Sequence, residues 1–85
     1  SKDLARLGVG LSYIHLKKYQ EAEQALRDLE QQTTYSDIRE EASYRLGDIF
    51  VLSKQYARAV EEYENSQKKY PKARTKFPNS YFNKA

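Results

Sequence analysis

Apolar residues recur along the chain at the three- and four-residue spacing that places them on one face of a helix. The first such stripe consists of Leu4, Leu7, Leu11 and Ile14. Similar stripes follow, and the residues between them are mostly polar, as on the solvated side of a helix. The spacing predicts four helices, at about 3–17, 20–32, 36–53 and 55–69, and no strand. Ser36 is predicted to cap the third helix by accepting a backbone N–H bond.

The pattern occurs twice, because shifting the sequence by 37 residues places Gly10 on Gly47 and Ala22 on Ala59. Four further pairs match in size or character: Tyr13 and Phe50, Lys17 and Lys54, Tyr19 and Tyr56, Leu26 and Tyr63. Self-similarity of this kind indicates a repeated helical hairpin. Small residues at a helix crossing let two backbones approach while large side chains interlock around them. We therefore predict that Tyr56 and Ala59 lie in the core.

The second copy reads Leu46-Gly47-Asp48-Ile49-Phe50, then Ala59-Val60-Glu61-Glu62-Tyr63, then Pro71. These motifs resemble the tetratricopeptide repeat signature Leu-Gly-x2-Tyr, Ala-x3-Phe, Pro, with the two aromatic residues exchanged. The first copy is looser and has Val9, Leu26 and Thr34 at three signature positions. Arg6 and Ser43 stand where the signature has tryptophan.

The resemblance implies an all-α solenoid of tetratricopeptide-like hairpins, with repeats at about 3–36 and 40–71 and part of a third at 72–85. Pro78 suits the first turn of a fifth helix after a connection at 72–77. Each hairpin of a solenoid buries its apolar face against the next, so two hairpins and a part leave apolar ends. We expect the chain to be a piece of a longer array.

In the family that the chain resembles, the first helix of each hairpin lines a concave groove. By position, this implies seven candidate partner-binding residues: Leu4, Leu7, Leu11, Ile14, Tyr44, Arg45 and Asp48. The four apolar ones would form a continuous stripe that the chain alone cannot bury, and Arg45 and Asp48 would orient a partner segment. The alternative is that the stripe docks an upstream repeat or a second copy. Leu7 and Leu11 stand where relatives that bind a C-terminal carboxylate use Lys and Asn, so no carboxylate clamp is expected.

Catalytic and metal-binding motifs are absent from the sequence, and we predict neither an enzyme nor a cofactor. His15 is the single histidine, there is no cysteine, and nothing in the sequence orients His15 toward Ser12 or Ser53. One histidine among scattered carboxylates lacks metal-ligand spacing. Gly8-Val9-Gly10 lacks the third glycine and the preceding strand of a phosphate loop.

The charge is distributed unevenly, because residues 1–66 carry nine Lys/Arg against twelve Asp/Glu and residues 67–85 carry six Lys/Arg and no acid. The basic stretch from Lys68 to Lys84 could contact nucleic acid or another acidic surface, although lysines also solvate a helix end. The sequence shows no membrane span of about 20 apolar residues. Absence of cysteine fits both the periplasm and the cytoplasm, so the compartment stays open.

These observations predict a protein-interaction scaffold that binds a protein or peptide, with nucleic-acid binding as the alternative. The period of 37 residues, the long link between repeats and the Tyr70-Pro71 ending are similar to repeats of two bacterial envelope families. These are the Tol-Pal cell-division coordinator and the outer-membrane assembly lipoprotein of the β-barrel machinery. The resemblance implies a role in envelope assembly.

Overall fold

A computed structural model describes residues 1–71 as an all-α structure, which confirms the predicted fold class. Its helices are α1 (Lys2–His15), α2 (Tyr19–Gln32), α3 (Ser36–Leu52) and α4 (Tyr56–Lys69). Residues 1–71 contain no strand, and the predicted helix ends differ from the observed ones by two residues or fewer. The predicted connection at 72–77 and the predicted fifth helix lie outside the described residues.

The helices form two antiparallel hairpins, α1 with α2 and α3 with α4. Helix α2 packs against both α1 and α3, and α1 makes a smaller direct contact with α3. The core between them consists of twelve buried residues: Leu7, Ala22, Leu26, Leu29, Ile38, Ala42, Tyr44, Leu46, Ile49, Phe50, Ala59 and Tyr63. The first helices of the two hairpins therefore lie side by side.

A glycine permits the close crossing of the two helices within each hairpin. A Cβ atom built on Gly10 would lie 2.5 Å from Cδ2 of Leu26, and one built on Gly47 would clash with the ring of Tyr63. Both pairs are sixteen residues apart, so the two hairpins use the same register. The sequence assigned this spacing role to both glycines, and the structure confirms it. Gly8 has open space around it.

The two helix corners share one hydrogen-bond pattern. At the second corner the N–H of Gln55 donates to the carbonyl of Phe50 at 2.7 Å. The residue before Gln55, Lys54, has a left-handed backbone with φ of 65°. Lys17 repeats this conformation at the first corner with φ of 62°. This is the Schellman ending of a helix, whose left-handed position glycine usually occupies.

Ala59 is 2% exposed, as predicted, but the prediction that Tyr56 is buried is wrong, because this ring is 60% exposed. Tyr19 occupies the same position in the first repeat and is partly buried against the core. The difference follows from the neighbouring helices. Helix α2 packs against both α1 and α3, whereas among the described helices α4 packs closely against α3 and meets α2 through charged side chains.

The link between α2 and α3 also departs from prediction, because Ser36 does not cap α3. The helix begins at Ser36, and its N-cap residue Tyr35 makes no side-chain cap bond. Instead, the buried Thr33 accepts the N–H of Tyr35 at 3.1 Å and donates its hydroxyl hydrogen to Oδ2 of Asp3 at 2.7 Å. A threonine inside the link thus connects it to α1.

Charged residues of α2 pair with residues of the second hairpin. Arg27 binds Glu62 across the two helices, and Glu30 accepts hydrogen bonds from Lys69 at 3.3 Å and from the Tyr70 hydroxyl at 2.9 Å. Burial, together with the bond to Glu30, raises the pKa of Tyr70 to about 12. These partly exposed pairs each contribute little, on the order of 0–1 kcal/mol, and they join α2 of the first hairpin to the second hairpin.

The contrast between Gly47 and Gly8 gives a stability test. Gly47→Ala should lower the free energy of unfolding by about 1–3 kcal/mol, because the new methyl group overlaps the Tyr63 ring. Gly8→Ala should raise it by roughly 0.5–1 kcal/mol, since alanine favours the helix and meets nothing. Urea unfolding followed by circular dichroism measures both. Equal stabilisation by the two substitutions would contradict the close crossing.

The left-handed lysines give a second test. Lys54→Gly should raise the free energy of unfolding by about 0.5–1 kcal/mol, because glycine adopts positive φ without a Cβ clash. Lys68→Gly is the matched control at a right-handed position in the last turn of α4 and should lower it, by about 0.5 kcal/mol. Chemical denaturation of both variants measures the difference in sign. A loss of stability in Lys54→Gly would mean that this corner does not strain the lysine.

Candidate functional site

The candidate groove face is the side of α1 and α3 that carries the seven residues predicted from the sequence. On α1, Leu4 is 59% exposed, Leu7 is only 7% exposed, and Leu11 and Ile14 are half-buried against the core. The expectation of a continuous stripe that the chain cannot bury is therefore wrong. Leu7 belongs to the core, which leaves Leu4 and the outer parts of Leu11 and Ile14 as accessible apolar surface.

On α3 the three predicted residues differ in access. Tyr44 is 8% exposed and Asp48 is 7% exposed, whereas Arg45 is half-buried. Arg45 is held on both sides, because its Nη1 donates to Oδ2 of Asp48 at 3.0 Å and its Nη2 donates to Oε2 of Glu41 at 3.3 Å. The guanidinium fork is thus already occupied by carboxylates of its own helix.

Asp48 is a buried carboxyl group that is bonded to two side chains. Its Oδ1 accepts a hydrogen bond from the hydroxyl of Tyr63 on α4, the ring that packs over Gly47. Burial raises the pKa of Asp48 above its ordinary value of 3.8, although the bonds from Tyr63 and Arg45 oppose this effect. The carboxylate therefore connects the groove face to the crossing between α3 and α4.

Comparison with protein families supports this architecture. A family model described as the tetratricopeptide repeat matches residues 4–32 and 41–73, which is more than half of the chain. The chain belongs to the tetratricopeptide repeat family. Tetratricopeptide repeats generally mediate protein–protein interactions and generally act as non-enzymatic scaffolds. Searches of curated proteins and of solved structures gave no match.

The pairing of Asp48 with Tyr63 was not predicted from the sequence, although the two repeats contain a signal for it. The tetratricopeptide positions that hold Asp48 and Tyr63 in the second hairpin hold Leu11 and Leu26 in the first. Both positions change together from apolar to polar. A buried carboxylate needs a donor, so a paired change of this kind indicates contact between the two side chains.

The structure gives the surroundings of His15 and Ser53, two of the residues considered for a catalytic pair. His15 is exposed, and the hydroxyl of Ser53 donates to the carbonyl of Ile49 at 2.8 Å. No three His, Asp or Glu side chains in this part of the chain form a group that could hold a metal ion. None of the described helices is long and apolar enough to cross a membrane.

The bond between Tyr63 and Asp48 can be tested with a double-mutant cycle. Tyr63→Phe removes a donor from a buried charge and should cost about 1–2 kcal/mol of stability at neutral pH. The same substitution in an Asp48→Asn background should cost clearly less, because no charge is left to stabilise. Urea unfolding of the four proteins gives the coupling energy. Additive effects would show that the two groups act independently.

The pH dependence provides a further check on the same pair. A carboxyl group whose pKa is raised on folding contributes stability that is complete below the unfolded pKa and is lost as pH rises through the folded pKa. For Asp48 this means that burial makes the charged form, which is present at higher pH, the less stable one. The hydrogen bond from Tyr63 opposes this effect by stabilising the charged form. The cost of Tyr63→Phe should accordingly be larger near pH 7 than near pH 3.

Proposed function

We propose that this chain is a protein-interaction scaffold that binds a segment of a protein partner along the groove face of α1 and α3. The observation that carries the proposal is the direct contact between α1 and α3, with an exposed leucine, Leu4, on one helix and the Glu41–Arg45–Asp48 network on the other. Apolar side chains of the segment would contact Leu4, Leu11 and Ile14. Polar groups would contact the outer edge of the network.

The seven predicted residues take two roles in this proposal. Leu4, Leu11, Ile14 and Arg45 are accessible in whole or in part and would contact the partner. Leu7, Tyr44 and Asp48 are buried and would act by fixing the shape of the face. Because both amino groups of Arg45 are engaged, a partner would recognise a neutralised guanidinium and not a free cation. A binding role without catalysis fits these side chains.

The proposed setting is envelope assembly in bacteria, and it rests on the resemblance of the repeats to the two envelope families. The alternative function is binding of nucleic acid or an acidic surface through the basic stretch that begins at Lys68. In the described part of this stretch Lys69 is paired with Glu30 and Lys68 is exposed. Affinity for single-stranded or duplex DNA that falls steeply with salt would favour the alternative.

Peptide selection tests the groove. Peptides of about twelve residues would be selected from a random display library against the full chain and then measured against Leu4→Asp. Burial of a leucine side chain stabilises by about 1.5–3 kcal/mol, so groove-binding peptides should lose roughly tenfold or more in affinity. Leu4 lies in the first turn of α1, where an acidic residue favours the helix dipole, and the variant should fold.

Gln20→Asp is the matched control, because Gln20 is exposed in the first turn of α2 and the substitution adds the same charge. The Gln20→Asp variant should bind the selected peptides with the same affinity as the unaltered chain. Peptides that bind the unaltered chain and Leu4→Asp equally would place binding elsewhere on the molecule. A selection that returns no binders would also count against the proposal.

A further inference from the structure

Both helix corners lie at the same end of the molecule. Near the start of α2 and α4, Nη2 of Arg58 on α4 lies 3.5 Å from Oε2 of Glu23 on α2. Near the ends of the same two helices, Nζ of Lys69 on α4 lies 3.3 Å from Oε2 of Glu30 on α2. The two helices therefore run in the same direction, and the corners that precede them are neighbours.

The corner end, which we define as residues 15–20 and 52–58, carries basic residues and no acid. It contains four Lys/Arg and no Asp/Glu. Three of the four, Lys17, Lys18 and Lys54, are exposed, and among the described residues none of these three forms an ion pair. The corner end therefore presents three exposed cations.

The opposite end of the helices has the opposite balance of charge. Residues 1–3, 28–41 and 64–71 contain seven Asp/Glu and four Lys/Arg. Within the described part of the chain, the charge is thus polarised along the helices. A negatively charged surface attracts the corner end more strongly than the other end.

The helix dipoles and the backbone do not account for lysines at the corners. A corner joins the negative C-terminus of one helix to the positive N-terminus of the next, so the two dipoles oppose each other there. The first turn of α4 contains no acid, although acids are favoured at a helix N-terminus. Lys17 and Lys54 have positive φ, which glycine adopts with less strain. Strained residues of this kind are typical of functional sites.

Two exposed leucines accompany the lysines, one at each corner. Leu16, which adjoins Lys17, is 61% exposed, and Leu52, two residues before Lys54, is 51% exposed. The packing of the two hairpins on each other leaves these four side chains exposed, since the hairpins meet through the sides of their helices and not through the corners. The corner end thus combines cations with apolar side chains.

This combination distinguishes between classes of acidic partner. A nucleic acid or a tract of acidic residues would neutralise the lysines but would offer nothing apolar to the leucines. A bilayer with anionic lipids has acidic headgroups at its surface and hydrocarbon directly beneath them. Both kinds of side chain gain from contact with such a surface.

We infer that the corner end docks on a membrane surface that contains anionic lipids. The three lysines contact the headgroups, and Leu16 and Leu52 insert at the boundary between headgroups and acyl chains. The contact is peripheral and reversible, because a few side chains bury little apolar area. The groove face runs along the sides of α1 and α3, so the docking does not rest on peptide binding there.

Sedimentation of the full chain with lipid vesicles tests the inference. Vesicles of phosphatidylcholine that contain about one-third phosphatidylglycerol should bind the chain, and vesicles of phosphatidylcholine alone should not. Added salt should weaken the binding, because it screens the attraction between lysines and headgroups. Failure to bind the anionic vesicles, or equal binding to both kinds, would overturn the inference.

Lys54→Gly separates docking from folding. This variant should be more stable than the unaltered chain, as argued above, yet bind the anionic vesicles about fivefold more weakly, the contribution of one lysine near such a surface. Lys68→Gly, at the opposite end, is the matched control and should lose stability but keep its vesicle affinity. Unchanged affinity in Lys54→Gly would overturn the inference. So would an equal or larger loss in Lys68→Gly, which would assign the binding to the basic stretch that begins there.

Leu52→Gln tests whether the partner is lipid. The substitution removes an apolar side chain without changing the charge, so affinity for the anionic vesicles should fall by roughly threefold to tenfold. Tyr35→Gln is the matched control, because Tyr35 is 55% exposed in the link at the opposite end, and it should bind as the unaltered chain does. Unchanged binding in Leu52→Gln would show that the corner end recognises negative charge alone, as on a polyanion, and would refute docking on a membrane.

Discussion

The structure depends on the close crossing of two helices over a glycine in each hairpin. Gly10 faces Leu26 and Gly47 faces Tyr63, with no room for a methyl group in either place. Because this contact fixes the distance between the helices, it also decides which neighbouring residues reach the core. Leu7 and Tyr44, three residues before each glycine, are buried, and the accessible part of the groove face is what remains outside the crossing.

The two crossings have different chemistry, and this difference gives the groove face its polar half. In the second hairpin the ring over the glycine is a tyrosine, whose hydroxyl needs a partner when buried, and Asp48 accepts its hydrogen. Asp48 in turn holds Arg45, which also binds Glu41. A packing contact deep in the hairpin therefore determines how a guanidinium is presented at the surface. In the first hairpin leucines fill the corresponding places, and the face there is apolar.

The repeat also explains why similar residues differ in exposure. Tyr19 and Tyr56 occupy one position of the hairpin, as do Val9 and Leu46, yet one member of each pair is exposed and the other is covered. Helix α2 has its hairpin partner α1 on one side and the first helix of the following hairpin, α3, on the other. The same position of the repeat is thus core where a second hairpin packs on it and more exposed where none of the described helices does.

The sequence by itself determined the local structure of residues 1–71: the four helices, their approximate ends, the repeated register, the role of Gly10 and Gly47 in the crossings, and the burial of Ala59. These features depend on periodicity and residue size, which a sequence displays directly. Only the tertiary structure decided that Leu7 is buried while Leu4 is exposed, that Tyr56 lies outside the core, and that Asp48 is bonded to Tyr63. Helical spacing places a residue on a face, but exposure and pairing depend on which other helix covers that face.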